Sequence, residues 1–316
     1  MIMHTLACSW SFKPAQLASI LRFIALCSVL CGISFSSLAQ VILSAERDTA
    51  TVRMFAQELA DSMPEHKIIY IPSSQLQQQA YFAADTQLIL LGTELLDWRL
   101  QLKHSQPATL ILQVSRTQAF QRFQDKHPPH LTLIWSDPPI ERQIALLKTM
   151  QPGIRDVGVL FSEDSYFLLP EIMQALQAEG LLMHVNNWSG DYIARSFHYL
   201  LNTTEALLGI DDAQVYNSKT IKNILLSSYA RKKALIGPTA AFINAGSLAT
   251  TYSSKENWLS TLRQLLATPT TQWPDSLYPQ AFEILTNQQV ARSLGIRANS
   301  SAELKLALQQ RHRQAL

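Results

Sequence analysis

Short aliphatic runs recur along the chain with amphipathic stretches between them. KIIYI (67–71), QLILLG (87–92), ATLILQV (108–114) and LTLIW (131–135) are each bounded by polar or turn residues. Near-continuous apolar runs of this length suit strands buried on both faces of a parallel sheet. From 48 to 63, Val52, Phe55, Ala56, Leu59 and Ala60 fall at helical spacing, the stripe of a helix packed on such a sheet. Strands alternating with helices predict right-handed βαβ units, an α/β fold.

The pattern restarts after residue 136. Asp137-Pro138-Pro139 opens a helix through ERQIALLKTM that stops at Gln151-Pro152-Gly153, with prolines where the first turn tolerates them. A strand VGVLFS (157–162) and a helix over 169–179 follow, closed by Gly180. LLMHV (181–185), ALLGI (206–210) and ALIG (234–237) read as strands, with helices at 193–201 and 219–232 between them. The tail carries a helix over 254–266, prolines at 269, 274 and 279, a strand FEILTN (282–287) and a last helix over 301–312. Two successive α/β units meeting near residue 137 exceed what one open sheet ordinarily holds, so two lobes are expected.

The first 39 residues stand apart. Lys13 and Arg22 precede the apolar run FIALCSVLCGISFSSLA, and Ser37-Leu38-Ala39 sets small residues at −3 and −1 of a cut before Gln40. That is the anatomy of a cleavable signal peptide, so a periplasmic location is expected. Cys8, Cys27 and Cys31 all lie in this segment, which leaves the exported part without a disulfide or a thiolate metal site. Removing Lys13 and Arg22 from 26 basic residues, against 24 acidic ones, brings the net charge near zero. No clustered basic footprint for nucleic acid remains.

The chain offers little chemistry of its own. It has no Gly-x-Ser-x-Gly elbow, no phosphate-cradling glycine loop and no His pair at helical metal spacing. An enzyme, a cofactor and a metal site are therefore not expected. Asp211-Asp212 is a carboxylate pair in what reads as a turn after a strand. Asp137, Ser162 to Ser165, Asp211 to Asn217 and Ile243 to Gly246 all follow strands. In open α/β sheets ligands bind outside the carboxyl ends of strands, and two such units facing each other form a cleft that closes by a hinge.

Four stretches carry a family resemblance: Asp137-Pro138 through LLKTMQP to VGVLFSEDS, then 205–237, AAFINAGSLATTYSS (240–254) and FEILTNQQVARSLGI (282–296). In that order they resemble the ABC-transporter substrate-binding family, periplasmic binding proteins of type I fold. The resemblance implies two Rossmann-like lobes with parallel sheets joined by a three-crossover hinge. The N-lobe is expected over 40–137, completed by about 247–280, and the C-lobe over 138–246, completed by about 281–316. It implies a small molecule, an amino acid or other small heterocycle, captured between the lobes for an ABC permease. A periplasmic sensor or accessory protein acting on a membrane receptor, kinase or cyclase is the alternative. By resemblance Asp137 corresponds to the family's Asp-Pro aspartate, Asp212 to the aspartate of its Asp-Asn-Thr loop and Gly246 to the glycine of its Arg-Gly-Ala-Leu segment. The departures are Ala213 and Gln214 in place of Asn-Thr, and a helix entered directly after Asp137-Pro138.

Asp137, Ser162, Ser165, Asp212, Tyr216, Asn217 and Asn244 are expected to line the groove, with Asp212 as anchor for a ligand amine and Tyr216 as an apolar face. The other reading of Asp212 and Asn217 is that they cap the helix beginning near Ser218.

Overall fold

The computed structural model describes residues 40–314 apart from 80, 103–106, 125 and 190–192; the expected signal peptide lies outside the described residues. Among the described residues twelve strands follow one another: β1 (Gln40–Ala45), β2 (Lys67–Tyr70), β3 (Gln87–Leu91), β4 (Ala108–Val114), β5 (Leu131–Trp135), β6 (Asp156–Phe161), β7 (Leu182–Asn187), β8 (Ala206–Leu208), β9 (Ala234–Ile236), β10 (Ala249–Tyr252), β11 (Ser276–Leu277) and β12 (Glu283–Thr286). They form two six-stranded sheets, ordered β11-β5-β4-β3-β1-β2 and β12-β10-β9-β8-β6-β7. The first sheet is parallel throughout. In the second, only β12 runs antiparallel, against β10.

The helices used below are α1 (Ala50–Ser62), α2 (Thr93–Gln101), α3 (Arg116–Phe123), α4 (Ile140–Met150), α5 (Leu169–Ala178), α6 (Ile193–Thr203), α7 (Ile221–Tyr229), α8 (Ala241–Ala245), α9 (Lys255–Leu266) and α10 (Ser301–Gln314). The apolar stripe of α1 does what its spacing requires: Phe55, Ala56 and Leu59 pack with Val41, Leu43 and Ile89 on one face of the first sheet. Ile42, Leu88, Leu90 and Ile111 point to the other face, against Leu95 and Leu96 of α2. This two-sided burial is why the first-lobe strands read as unbroken aliphatic runs.

Lobe membership follows the cores. Leu259, Leu262, Leu265 and Leu266 of α9 return to the first lobe, and β11 extends its sheet beside β5. Leu304 and Leu308 of α10 pack in the second-lobe core with Ile144, Leu147 and Ile284. The chain thus crosses between lobes at 136–139, at 253–254 and at 278–282. The second crossing corrects the boundary expected near 246. The segment ATTY at 249–252 is strand β10, paired to β9 and β12, so it belongs to the second lobe. Its threonines gave no aliphatic run to mark it.

Candidate functional site

The site is set by what happens at the carboxyl ends of the strands. Between Ile111 and Val114 the pairing of β4 with β5 shifts register, with Gln113 at φ 59°. A bulge there re-aims the strand end. Ser115 then starts α3: its hydroxyl accepts from the Gln118 N–H at 3.3 Å, and the Gln118 side chain accepts from the Ser115 N–H at 3.0 Å. This reciprocal cap fixes Arg116, Thr117 and Phe120 on the first turns of α3, where they meet the second lobe.

Arg116 is held from two directions. Its backbone N–H donates to Asp137 Oδ1 at 3.0 Å, while its guanidinium donates to both oxygens of Glu171 on α5, at 2.7 and 2.6 Å. Thr117 Oγ1 donates to the Asp211 carbonyl at 2.8 Å. The Phe120 ring stacks on Phe167 with centroids 4.0 Å apart and planes within 10°. The contacts of Arg116 with Glu171, of Thr117 with Asp211 and of Phe120 with Phe167 cross from one lobe to the other, while that with Asp137 ties α3 to the first crossover.

Beneath them lies a cavity of about 20 Å³, large enough for one water-sized molecule. Asp137 and Pro138 contribute from the first crossover, Gln143 from α4, and Leu208, Asp211 and Pro238 from the ends of β8 and β9. Burial pushes the Asp137 carboxyl up to about 7, and the Asp211 charge adds to this, against the stabilising Arg116 N–H. Asp211 is raised too, by burial first and by Asp212 next, opposed by a hydrogen bond from Ser115. The Tyr278 phenol at the third crossover is raised by burial and then by Asp137. For Arg116, burial is the largest influence and works against the charge, but its hydrogen bonds to Glu171 and Tyr278 and the charges of both together outweigh it and hold the guanidinium above its ordinary range.

Of the residues expected to line the groove, the cavity takes Asp137 alone. Asp212 is saturated from within its own lobe. It accepts from the Ser162 N–H at 2.9 Å, the Ser162 hydroxyl at 2.7 Å, the Ser165 hydroxyl, and the N–H groups of Gln214 and Val215 at 2.9 and 3.1 Å. It is 1% exposed; Asp212, Ser162 and Ser165 thus bind one another and leave nothing for a ligand. Tyr216 is buried in the second-lobe core, edge-on to Phe242, so it offers no face to the groove. Asn217 closes a turn: its oxygen accepts from the Lys219 and Thr220 N–H groups, and its amide donates to the Ala213 and Gln214 carbonyls. Neither residue caps α7, which starts at Ile221 without a side-chain cap; Asp212 closes the turn at 212–215 and Asn217 the turn at 217–220. Asn244 is exposed on the short helix α8, outside the cavity.

Arg116, Thr117, Phe120, Phe167 and Glu171 are not among the residues expected from the sequence. A signal was available, since Ser115-Arg116-Thr117 follows the run 108–114 just as Asp137 follows 131–135. The same positional rule finds it.

No protein-family model matches the sequence, and no curated protein sequence matches it significantly. Solved structures do match. A substrate-binding protein with adhesive properties from Clostridium difficile, in its ligand-free open form, aligns with a TM-score of 0.63 at 12% identity, over 83% of this chain and 97% of that one. The ABC domain in complex with L-Trp from Streptococcus pneumonia aligns at 0.54 and 16% identity, over 85% and 98%. A conserved domain protein from Vibrio cholerae aligns at 0.53 and 12%, over 85% and 98%. The two sheets, their strand order and these likenesses define the fold: the chain has the type I periplasmic-binding-protein fold. Structures like it include substrate-binding proteins.

Proposed function

We propose that this is an exported, periplasmic solute-binding protein that captures a small amine-bearing molecule between its lobes for an ABC importer. The observation that carries the reading is the cavity on the first crossover, where Asp137 from the crossover and Asp211 from the second lobe line the same space. Two carboxylates held close together and out of water repel each other. A ligand ammonium placed between them would relieve that repulsion with charge-assisted hydrogen bonds. The L-Trp carried by one structurally similar domain is a ligand of this type. Such a molecule is far larger than 20 Å³, so it enters with the lobes apart, and the three crossovers supply the hinge.

The test is a thermal-shift screen of the purified protein against amino acids, purines, small peptides and simple amines. Amine-bearing members should raise Tm in a concentration-dependent way; a panel without any such effect would defeat the reading.

One observation favours a second reading, a sensory or accessory protein acting on a membrane receptor, kinase or cyclase. The lobes meet directly through Arg116–Glu171 and Phe120–Phe167, a closed surface that a partner could recognise without a solute. Affinity purification from membranes separates the two: a permease and its ATPase support transport, a kinase or cyclase supports sensing.

A further inference from the structure

The groups that cross the cleft form a compact set on two helices. Arg116 and Phe120 are one turn apart on α3, so they project from the same face. Glu171 lies in the first turn of α5 and Phe167 in the turn that leads into it. The pairs match in order: guanidinium on carboxylate, ring on ring, with Arg116 Cζ also 5.9 Å from the Phe167 centroid. Thr117 adds a hydrogen bond to the Asp211 carbonyl between them. The Arg116 guanidinium also faces the Tyr278 phenol at the third crossover, but its carboxylate and the second ring of the stack come from the other lobe, so these two pairs form only when the lobes are together. A two-oxygen guanidinium–carboxylate pair that is partly shielded from water, with an aromatic stack beside it, is among the stronger short-range contacts a protein can make.

We propose that Arg116–Glu171 and Phe120–Phe167 are a latch that holds the cleft closed before any solute arrives. It regulates the same cleft that the solute-capture reading uses, although the latch itself is inferred from these contacts alone. A solute has access only when the latch opens, so the apparent affinity is reduced by the fraction of molecules that are open. The latch sets the threshold for capture and is the element that solute, permease or receptor would have to displace.

The test needs no solute. Spin labels on Gln121→Cys and Gln177→Cys, exposed positions on α3 and α5, report the interlobe distance by double electron–electron resonance. Cys8, Cys27 and Cys31 are replaced by Ser in the same chain. The wild type should show the short distance. Arg116→Ala, Glu171→Ala and Phe120→Ala should each raise the long-distance population, on the order of tenfold for the charged pair. Arg53→Ala, which breaks a guanidinium–carboxylate pair with Asp48 inside the first lobe, should leave the distribution unchanged. Arg116→Glu combined with Glu171→Arg should restore the short distance. This swap decides the matter if a single variant fails to fold. A wild type already at the long distance, single variants without effect, or a swap that stays open would each overturn the latch. Such a result leaves the solute reading standing, and an empty ligand screen leaves the latch standing.

Discussion

The Gln143 side-chain oxygen accepts the Thr251 backbone N–H at 2.9 Å, which ties the helix leaving the first crossover to the strand entering the second. The same amide donates to the Gly237 carbonyl and to Thr250 Oγ1, both at 2.9 Å, and its oxygen also receives the Thr251 hydroxyl. Gln143 is buried and every one of these partners is protein. It fastens, within the second lobe, the helix that follows the first crossover to the strand that precedes the second.

Gln143→Leu would keep the volume and leave the Thr251 N–H and hydroxyl without their acceptor, while the Gly237 carbonyl keeps the Thr250 hydroxyl. A buried unsatisfied group costs about 1–3 kcal/mol. We expect Tm to fall by roughly 4–8 °C in calorimetry. An unchanged Tm would mean that the amide is dispensable.

Asp212→Asn tests the reassignment of that residue. Its oxygens face donors only, and an amide would turn an NH₂ group towards some of them. The expected loss is about 2–4 kcal/mol of stability, with the affinity for a screened solute the same as wild type once folded protein is counted. A stable variant that has lost its affinity would restore Asp212 to the binding site.

Gly92 precedes α2 at φ 104°, and a Cβ there would fall on the Glu46 side chain. Glu46 accepts the Glu94 N–H at 2.6 Å and so caps α2. Gly92→Ala combines backbone strain with displacement of the cap, and we expect a loss of about 2–3 kcal/mol by chemical denaturation. A loss under about 0.5 kcal/mol would show that the loop rearranges freely, since surface changes ordinarily stay within that range.

Asp137 gives the cleft a pH dependence of known sign. Its folded value, about 7, lies above the unfolded value of about 3.9. The folded state therefore keeps a proton that the unfolded chain has lost, and this stabilisation, fully present below about pH 4, is lost as pH rises through 7. The groups facing it are Arg116, Asp211 and Tyr278. Tm should decline by on the order of 5 °C from pH 4 to 8 through this residue, and Asp137→Asn should flatten the curve. Binding of a cationic solute near pH 6.5 should also release a proton, seen as a dependence of calorimetric heat on buffer ionisation enthalpy.

Much of this fold was legible because buried parallel strands write themselves as aliphatic runs. KIIYI, QLILL, ATLILQV and LTLIW all became strands of the first sheet. What escaped was strand without that signal. QVILSA lay beside the apparent signal peptide, ATTY is polar, and Ser276–Leu277 is only two residues long. The site was less legible for a related reason. Following a strand places a residue at the cleft edge but does not say whether its side chain is already engaged. Asp211 and Asp212 are neighbours, yet one lines the cavity and the other is consumed by Ser162 and Ser165. Only the three-dimensional partners distinguish them.

The central claim, solute capture between the Asp137 and Asp211 carboxylates, is tested most directly by isothermal titration of the strongest amine-bearing hit from the screen into wild type, Asp211→Asn and Asp137→Asn. The account predicts measurable binding to wild type and a loss of roughly tenfold or more in each variant, the worth of a charge-assisted hydrogen bond, with folded structure retained. Binding of equal strength to all three proteins would contradict it.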